Sequence, residues 1–488
     1  MQNKKMLRNT AWYFGGTVIS AILGLIASPI LTRVLSTKVY AQYGIVTTFT
    51  TLAATFIYMG QDEAFMRYFN RRADSYKAFL WKCMKFPLML CVVMLFVLLE
   101  PQHIALKWIF DTEISTIVAL LLAVYIAVTV IQRFLMITAR MEERAANYSI
   151  SNIATKLMFI VAVFLILKMF GKVDFDGIII SLITGVIFAL GVNIIVILTV
   201  SHGSNPEGET ISSKELLKFG LPFAFSNTAL WAIPMLEKIV IRDLTSWDVL
   251  AVYTSASIFV TAINLIKTTV NSIWVPYVYK KYENEEHFKI IFHNIGILMC
   301  WLCVCILAGL IFFRRWVVLI FDSAYYDCRL IAPALVCGAF FDLLTCIYSI
   351  GINIRKKTVY LIIFPVVQII ISIGFLYFCL PRLGLVATGI SYLLSIAASR
   401  GLQIIIALHY YGTGRGYAKL AFMMGLYTVV GILSCFFSSL QFDVICGIAL
   451  FIIGSATVWK ELAVAYKWLF PKKNNGKNKN MIKDCAVR

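Results

Sequence analysis

The sequence predicts an all-α integral membrane protein: about 14 transmembrane helices, arranged as two pseudo-symmetric six-helix bundles followed by a C-terminal helix pair. Three observations point there. Of 488 residues, 60% are hydrophobic and 14% charged, with a mean hydropathy of +0.83, whereas a soluble domain carries about a quarter charged residues. Apolar runs of about 20 residues recur along the whole chain, each long enough to cross a hydrocarbon core of roughly 30 Å as a helix. Finally, the sequence around Arg33 returns around Arg242.

The elements follow from those runs. Spans are predicted near 10–32, 41–67, 82–100, 114–138, 148–169 and 176–200, then a polar connector, SHGSNPEGETISSKE. A second set falls near 216–241, 249–276, 291–313, 329–353, 358–380 and 384–409, and a last pair near 419–439 and 443–468. The domains implied are 1–201 (first bundle), 202–215 (cytoplasmic connector), 216–410 (second bundle), 411–470 (extra pair) and 471–488 (basic tail). The irregular stretch FRRWVVLIFDSAYYDCR is the place for a short interfacial helix. The start, MQNKKMLRNT, has a basic flank but no clear small-residue cleavage site, so the first span is expected to be retained rather than removed as a signal peptide.

The repeat is carried by two turns and two helix exits. LTRVLSTKVYAQY faces VIRDLTSWDVLAVY, pairing Arg33, Leu35 and Tyr43 with Arg242, Leu244 and Tyr253 once a residue is inserted in the second turn. At the exits, FMRYFNRR from Phe65 to Arg72 matches WVPYVYKK from Trp274 to Lys281 in residue type. A repeat of such long period is the internal symmetry of a duplicated membrane fold, not of a solenoid. Prolines at 29, 222, 234, 276, 333 and 365 fall in or beside spans, where a proline frees a carbonyl and kinks the helix.

Lysine and arginine give orientation. With the N-terminus inside, the inner loops hold Arg71, Arg72, Lys77, Arg140, Arg144, Lys214, Lys280, Lys281, Arg355, Lys356, Lys357, Arg415 and the tail PKKNNGKNKNMIK, whereas the outer loops hold fewer, among them Arg33, Lys107, Arg314 and Arg315. Both termini are therefore expected in the cytoplasm. The net charge of +19 then reflects topology, and nucleic acid is not an expected partner. The twelve cysteines are scattered through apolar runs, and Cys300, Cys303 and Cys305 read as small buried hydrophobes. No His, Cys or Ser constellation has catalytic spacing, so no enzyme activity, metal or cofactor is expected.

The informative residues are ionisable groups inside spans, because a charge at mid-bilayer costs about 2.5–3.5 kcal/mol and so faces a bundle interior or a watery cavity. Asp62, Glu63 and Arg67 lie together, with Glu63 and Arg67 four apart and suited to an ion pair that leaves Asp62 without a local partner. Glu237, Lys238, Arg242 and Asp243 end the seventh span, where Lys238 and Arg242 can snorkel. Lys267 lies too deep to snorkel, with Asn264 and Asn271 on related faces, and is expected as a cavity cation. Arg133 beside Gln132, Arg400 near Gln403, and Asp342 complete the set. Cations outnumber anions, which suits an anionic ligand held by a guanidinium fork. The alternative is that Asp342 pairs with one of the arginines as a packing device.

The stretch NTAWYFGGTVISAILGLIASPILTRVLSTKVYAQYGIV resembles the opening of the polysaccharide-biosynthesis flippases, the Wzx-type branch of the multidrug/oligosaccharidyl-lipid/polysaccharide (MOP) superfamily, and LEKIVIRDLTSWDVLAVYTSA and IWVPYVYKKY resemble its seventh-helix end and eighth-helix exit. The chain departs from it in having Ser36-Thr37 where a Gly-Pro turn is common, and Glu237 where an Asp is often met.

The resemblance implies two six-helix bundles across a central cavity, in a bacterial cytoplasmic membrane. It implies a transporter that moves a polyprenyl-pyrophosphate oligosaccharide from the cytoplasmic to the outer leaflet for capsule, exopolysaccharide or O-antigen synthesis, with membrane lipids and a polysaccharide polymerase as further partners. Lys267, Arg400, Arg133 and Arg67 would then bind the anionic head. Asp62, Glu63, Glu237 and Asp342 are the candidates for gating or for coupling to Na⁺ or H⁺. A cation-coupled multidrug exporter of the same superfamily is the alternative, and a membrane-embedded glycan transferase a remote one.

Overall fold

Serines punctuate this chain. Ser36, Ser115, Ser212, Ser246 and Ser439 each accept a hydrogen bond from the backbone N–H three residues on, at Val39, Val118, Glu215, Val249 and Phe442, over 3.2–3.4 Å. Each satisfies one of the orphan donors of a helix start. The computed structural model describes residues 2–69, 74–199, 210–281, 285–349, 352, 360–410 and 417–459. Arg71, Arg72, Arg355, Lys356, Lys357, Arg415, most of the connector and the basic tail lie outside them.

The described residues form α-helices α1 (Gln2–Val34), α2 (Thr37–Tyr58), α3 (Gln61–Tyr68), α4 (Tyr76–Leu98), α5 (Ile104–Phe110), α6 (Thr116–Met141), α7 (Ala145–Phe170), α8 (Phe175–Thr199), α9 (Ser213–Leu244), α10 (Trp247–Lys281) and α11 (Glu285–Val317). Then come α12 (Cys328–Tyr348), α13 (Tyr360–Leu383), α14 (Leu385–Tyr410), α15 (Tyr417–Phe436) and α16 (Leu440–Thr457), with no strand among the described residues. Thirteen are long and apolar enough to cross a membrane. The expected interfacial helix before α12 is instead two 3-10 turns, Val318–Ile320 and Ser323–Tyr325.

The second expected span, 41–67, is broken. Met59 and Gly60 both adopt positive φ, +46° and +67°, which ends α2 and starts the short α3. Gly60 is required there twice over. Its left-handed backbone favours glycine, and a Cβ would stand 2.0 Å from the carbonyl oxygen of Gly220 on α9. α2 itself is long enough to cross but falls short in apolarity, because it carries six threonines, at 37, 47, 48, 50, 51 and 55.

The two halves of the internal repeat have the same turn. α1 stops at Val34 and α2 starts at Thr37; α9 stops at Leu244 and α10 starts at Trp247. Each two-residue connection ends on the capping serine, Ser36 or Ser246. The inserted residue falls between the arginine and that serine.

The described residues group into two compact units, 1–258 with 321–325, and 259–320 with 326–488. In the second, α12 is the most enclosed helix, with 83% of its apolar window buried, and Cys300 and Cys303 of α11 pack in the same apolar core. α15 and α16 are fastened to α11 by charge. Arg314 donates to the carbonyls of Ser434 (2.8 Å) and Phe437 (2.5 Å) and pairs with Asp443, each side chain 1% exposed. Arg315 pairs with the same carboxylate at 3.3 Å. The sequence places both arginines in an outer loop; the carbonyls at the end of α15 draw them inward. Removing one partner of a buried pair leaves an uncompensated charge, at about 3–5 kcal/mol. Asp443→Ala is therefore expected to lower the thermal stability of the purified protein by about that much, read by a melting curve in detergent, with Arg314→Met/Asp443→Leu recovering most of the loss.

Candidate functional site

In the second unit, Asp342 lies on α12, six residues before the end of the helix. Two cations meet it. Arg400 of α14 places Nε 2.7 Å from Oδ1, and Lys267 of α10 places Nζ 3.4 Å from Oδ2. Arg400 also donates through Nη1 to Oε1 of Gln403, at 3.1 Å and one turn along. Two cations on one carboxylate leave a net positive site. The lysine is its more open member, with a side chain 31% exposed against 16% for the arginine. Three of the residues singled out in the sequence are thus one cluster, and Asp342 is the anion between both cations rather than the partner of an arginine alone.

The first unit has a second cluster. Asp62 accepts hydrogen bonds from Nε (3.3 Å) and Nη2 (3.1 Å) of Arg133. The carboxylate side chain is 8% exposed and the guanidinium 44%. The local Glu63–Arg67 pair expected from spacing does not form. Arg67 instead lies over the ring of Phe219 at 4.7 Å and of Tyr68 at 5.8 Å, a cation–π arrangement that holds a guanidinium without neutralising it. Asp62, expected to lack a local partner, takes a distant one on α6.

The charged end of α9 also differs from expectation. Lys238 does not snorkel: its ammonium donates to the carbonyl of Gly44 and to Oγ1 of Thr48, 2.6 Å each, and so ties α9 to α2. Arg242, 7% exposed, donates to the carbonyl of Ile109 and to Asp243 (2.8 and 2.5 Å), with its guanidinium over Trp247 at 5.8 Å. Glu237 accepts from the hydroxyl of Tyr253 at 3.0 Å. One further ionisable residue inside a span, Lys156, lies in the middle of α7. The same cost argument that selected Lys267 would have found it, since it lies well inside the span expected at 148–169.

The sequence profile of the polysaccharide biosynthesis protein family matches residues 6–281. The chain belongs to that family. No curated protein sequence matches it. Among solved structures, the lipid II flippase MurJ in an inward closed conformation is similar over 92% of this chain and 99% of its own, with a TM-score of 0.68 at 13% identity. A multidrug resistance MATE transporter of the MOP superfamily is similar in its inward-facing conformation, with TM-score 0.58, 14% identity and coverage of 80% and 97%. The outward-facing one gives TM-score 0.53, 15% identity and coverage of 83% and 95%. At these identities the likeness carries the fold. This member of the polysaccharide biosynthesis family is an all-α, multi-pass membrane protein with the MOP transporter fold.

The geometry orders the two contacts on Asp342. Arg400→Ala is expected to lower the melting temperature more than Lys267→Ala, because the second variant keeps the 2.7 Å contact and the first keeps only the 3.4 Å one. Melting curves of the two purified variants check this.

Proposed function

We propose that this protein flips a polyprenyl-pyrophosphate oligosaccharide from the cytoplasmic to the outer leaflet of a bacterial cytoplasmic membrane, supplying repeat units for capsule, exopolysaccharide or O-antigen assembly. The observation that carries the reading is that cations stand partly exposed inside the membrane helices of both units, Lys267 in the second and Arg133 in the first. Lys267 and Arg400 share Asp342, and Arg133 holds Asp62 while Arg67 stands on aromatic rings. A pyrophosphate with its sugars cannot enter hydrocarbon unaided, and a half-exposed guanidinium or ammonium inside a helical bundle gives its oxygens a charged partner. The family and the MOP fold support the same substrate class.

Movement by alternating access, with 1–201 and 216–410 as the two rocking bundles, fits a fold seen elsewhere in both inward-facing and outward-facing forms. In this mechanism the substrate's anionic oxygens compete with Asp342 for Lys267 and Arg400, and with Asp62 for Arg133. The carboxylates then act as internal counter-ions that reclaim the cations once the substrate leaves. Glu63, Glu237 or those two carboxylates would also be the groups to couple the cycle to Na⁺ or H⁺. The lysine and arginine distribution supports cytoplasmic termini, and a polysaccharide polymerase would consume the flipped unit.

A multidrug exporter is the second reading, favoured by the MATE likeness alone; a net positive interior disfavours a cationic drug. The deciding measurement is of lipid-linked intermediates in cells depleted of the protein. The flippase reading expects complete repeat units to accumulate on the cytoplasmic leaflet with loss of surface polymer; unchanged polymer and intermediates would refute it. In the same assay Lys267→Ala is expected to insert, fold and export nothing. Full export by that variant would remove Lys267 from the site.

A further inference from the structure

Within the first unit, α1 and α7 run side by side in parallel. The hydroxyl of Ser149 donates to the carbonyl of Trp12 at 2.7 Å, and that of Ser20 to the carbonyl of Asn152 at 3.3 Å. At Gly16 the helices touch, for a Cβ there would stand 2.1 Å from the Cβ of Ser149. Gly16, Ser20 and Gly24 are spaced by four and share a face. At Gly24, however, a Cβ would meet nothing within 4 Å, so the two helices leave an opening one turn beyond Ser20.

Lys156 lies at that level, one turn beyond Asn152. Helical spacing puts it on the same face of α7 as Ala145, Ser149, Phe159 and Val163, which are at most 4% exposed, yet Lys156 itself is exposed. Its exposure is therefore to the opening and not to lipid. It makes no ion pair or hydrogen bond among the described residues. The nearer end of α7 is eleven residues away, about 16 Å at 1.5 Å per residue, which is beyond the reach of snorkelling. A charge so placed costs about 2.5–3.5 kcal/mol, with no partner among the described residues to offset it.

The facing wall is α2. It returns antiparallel to α1, as the Ser28–Tyr40 hydroxyl contact of 2.6 Å shows, and reaches α7 through the Tyr43 ring, stacked on Phe159 at 5.6 Å and 9°. Lys156 precedes Phe159 by one turn, so in the opposite direction along α2 the same depth falls near Thr47. Thr47, Thr51 and Thr55 follow at intervals of four, all half-buried. Each hydroxyl donates to the carbonyl four residues back, at 3.0, 2.7 and 2.7 Å. With its proton committed, a threonine oxygen has only acceptor lone pairs left to offer. The wall thus suits a donor-rich polyol, and the lysine, a donor without lone pairs, suits an anion.

We propose that this opening is a head-group site in which Lys156 binds an anionic oxygen of the lipid-linked substrate while Thr47, Thr51 and Thr55 accept hydrogen bonds from its sugar hydroxyls. It rests on the flippase reading and assigns the sugars and the anion to opposite walls. The test is binding to purified full-length protein in lipid nanodiscs, with two probes: polyprenyl diphosphate alone, and the intact lipid-linked oligosaccharide extracted from depleted cells. Wild type is expected to bind both. Lys156→Met, close in volume, is expected to bind polyprenyl diphosphate at least tenfold more weakly, and Lys156→Arg to restore it. Thr51→Val, which keeps shape and removes the acceptor, is expected to weaken only the sugar-bearing probe, by about three- to tenfold, the loss of one hydrogen bond. If Lys156→Met weakens only the sugar-bearing probe, the anion is an acidic sugar and the site stands. Wild-type affinities for both probes in Lys156→Met and Thr51→Val, in proteins that melt normally, overturn the site. Binding of neither probe by wild type overturns the flippase reading itself.

Discussion

The structure is governed by the cost of a charge away from water. In hydrocarbon an ionised side chain needs an opposite charge, a carbonyl or trapped water, and several charged residues within these helices have been given one. Asp443 has Arg314 and Arg315, Asp342 has Arg400 and Lys267, Asp62 has Arg133, and Lys238 has the oxygens of Gly44 and Thr48. These pairings choose helix neighbours as directly as apolar packing does. A helix sliding by one turn would strand a charge, whereas a slip of leucine against leucine in lipid costs little, since the tails are as apolar as the residues.

The pairings also differ in kind. The Arg314–Asp443 contact is closed, both side chains nearly inaccessible, and its surplus donors are spent on the carbonyls that end α15. The Asp342 and Asp62 clusters are open, with Lys267 and Arg133 the exposed members. Closed pairs fix architecture; open ones can exchange partners. That difference separates a helix clamp from the site proposed to admit an anion.

Much of this was legible in the sequence. Apolar runs located the helices, and the turn at Arg33 and its echo at Arg242 are structurally alike down to the capping serine. Lys267, Arg400 and Asp342 were selected by the insertion cost alone and proved to be neighbours. Pairing was less legible, because it depends on helix rotation and depth: spacing suggested Glu63 for Arg67, but Phe219 of a helix some 150 residues away offers Arg67 its ring face. The break at Met59–Gly60 escaped because the apolar run continues through it, although Gly60 marked the spot. Arg314 and Arg315 look like loop residues in the sequence because nothing local reveals the carbonyls at the end of α15 that receive them.

α2 carries a consequence for how the protein is made. Among the described helices of the first unit, its threonine-rich composition leaves it the one long helix short of the apolarity of a membrane span, and hydroxyls bonded to their own backbone only partly mask that polarity. A segment of this kind partitions poorly alone. The two-residue connection to α1 and the Ser28–Tyr40 contact make the first two helices a single hairpin, so biogenesis delivers α2 to the bilayer with α1 already beside it.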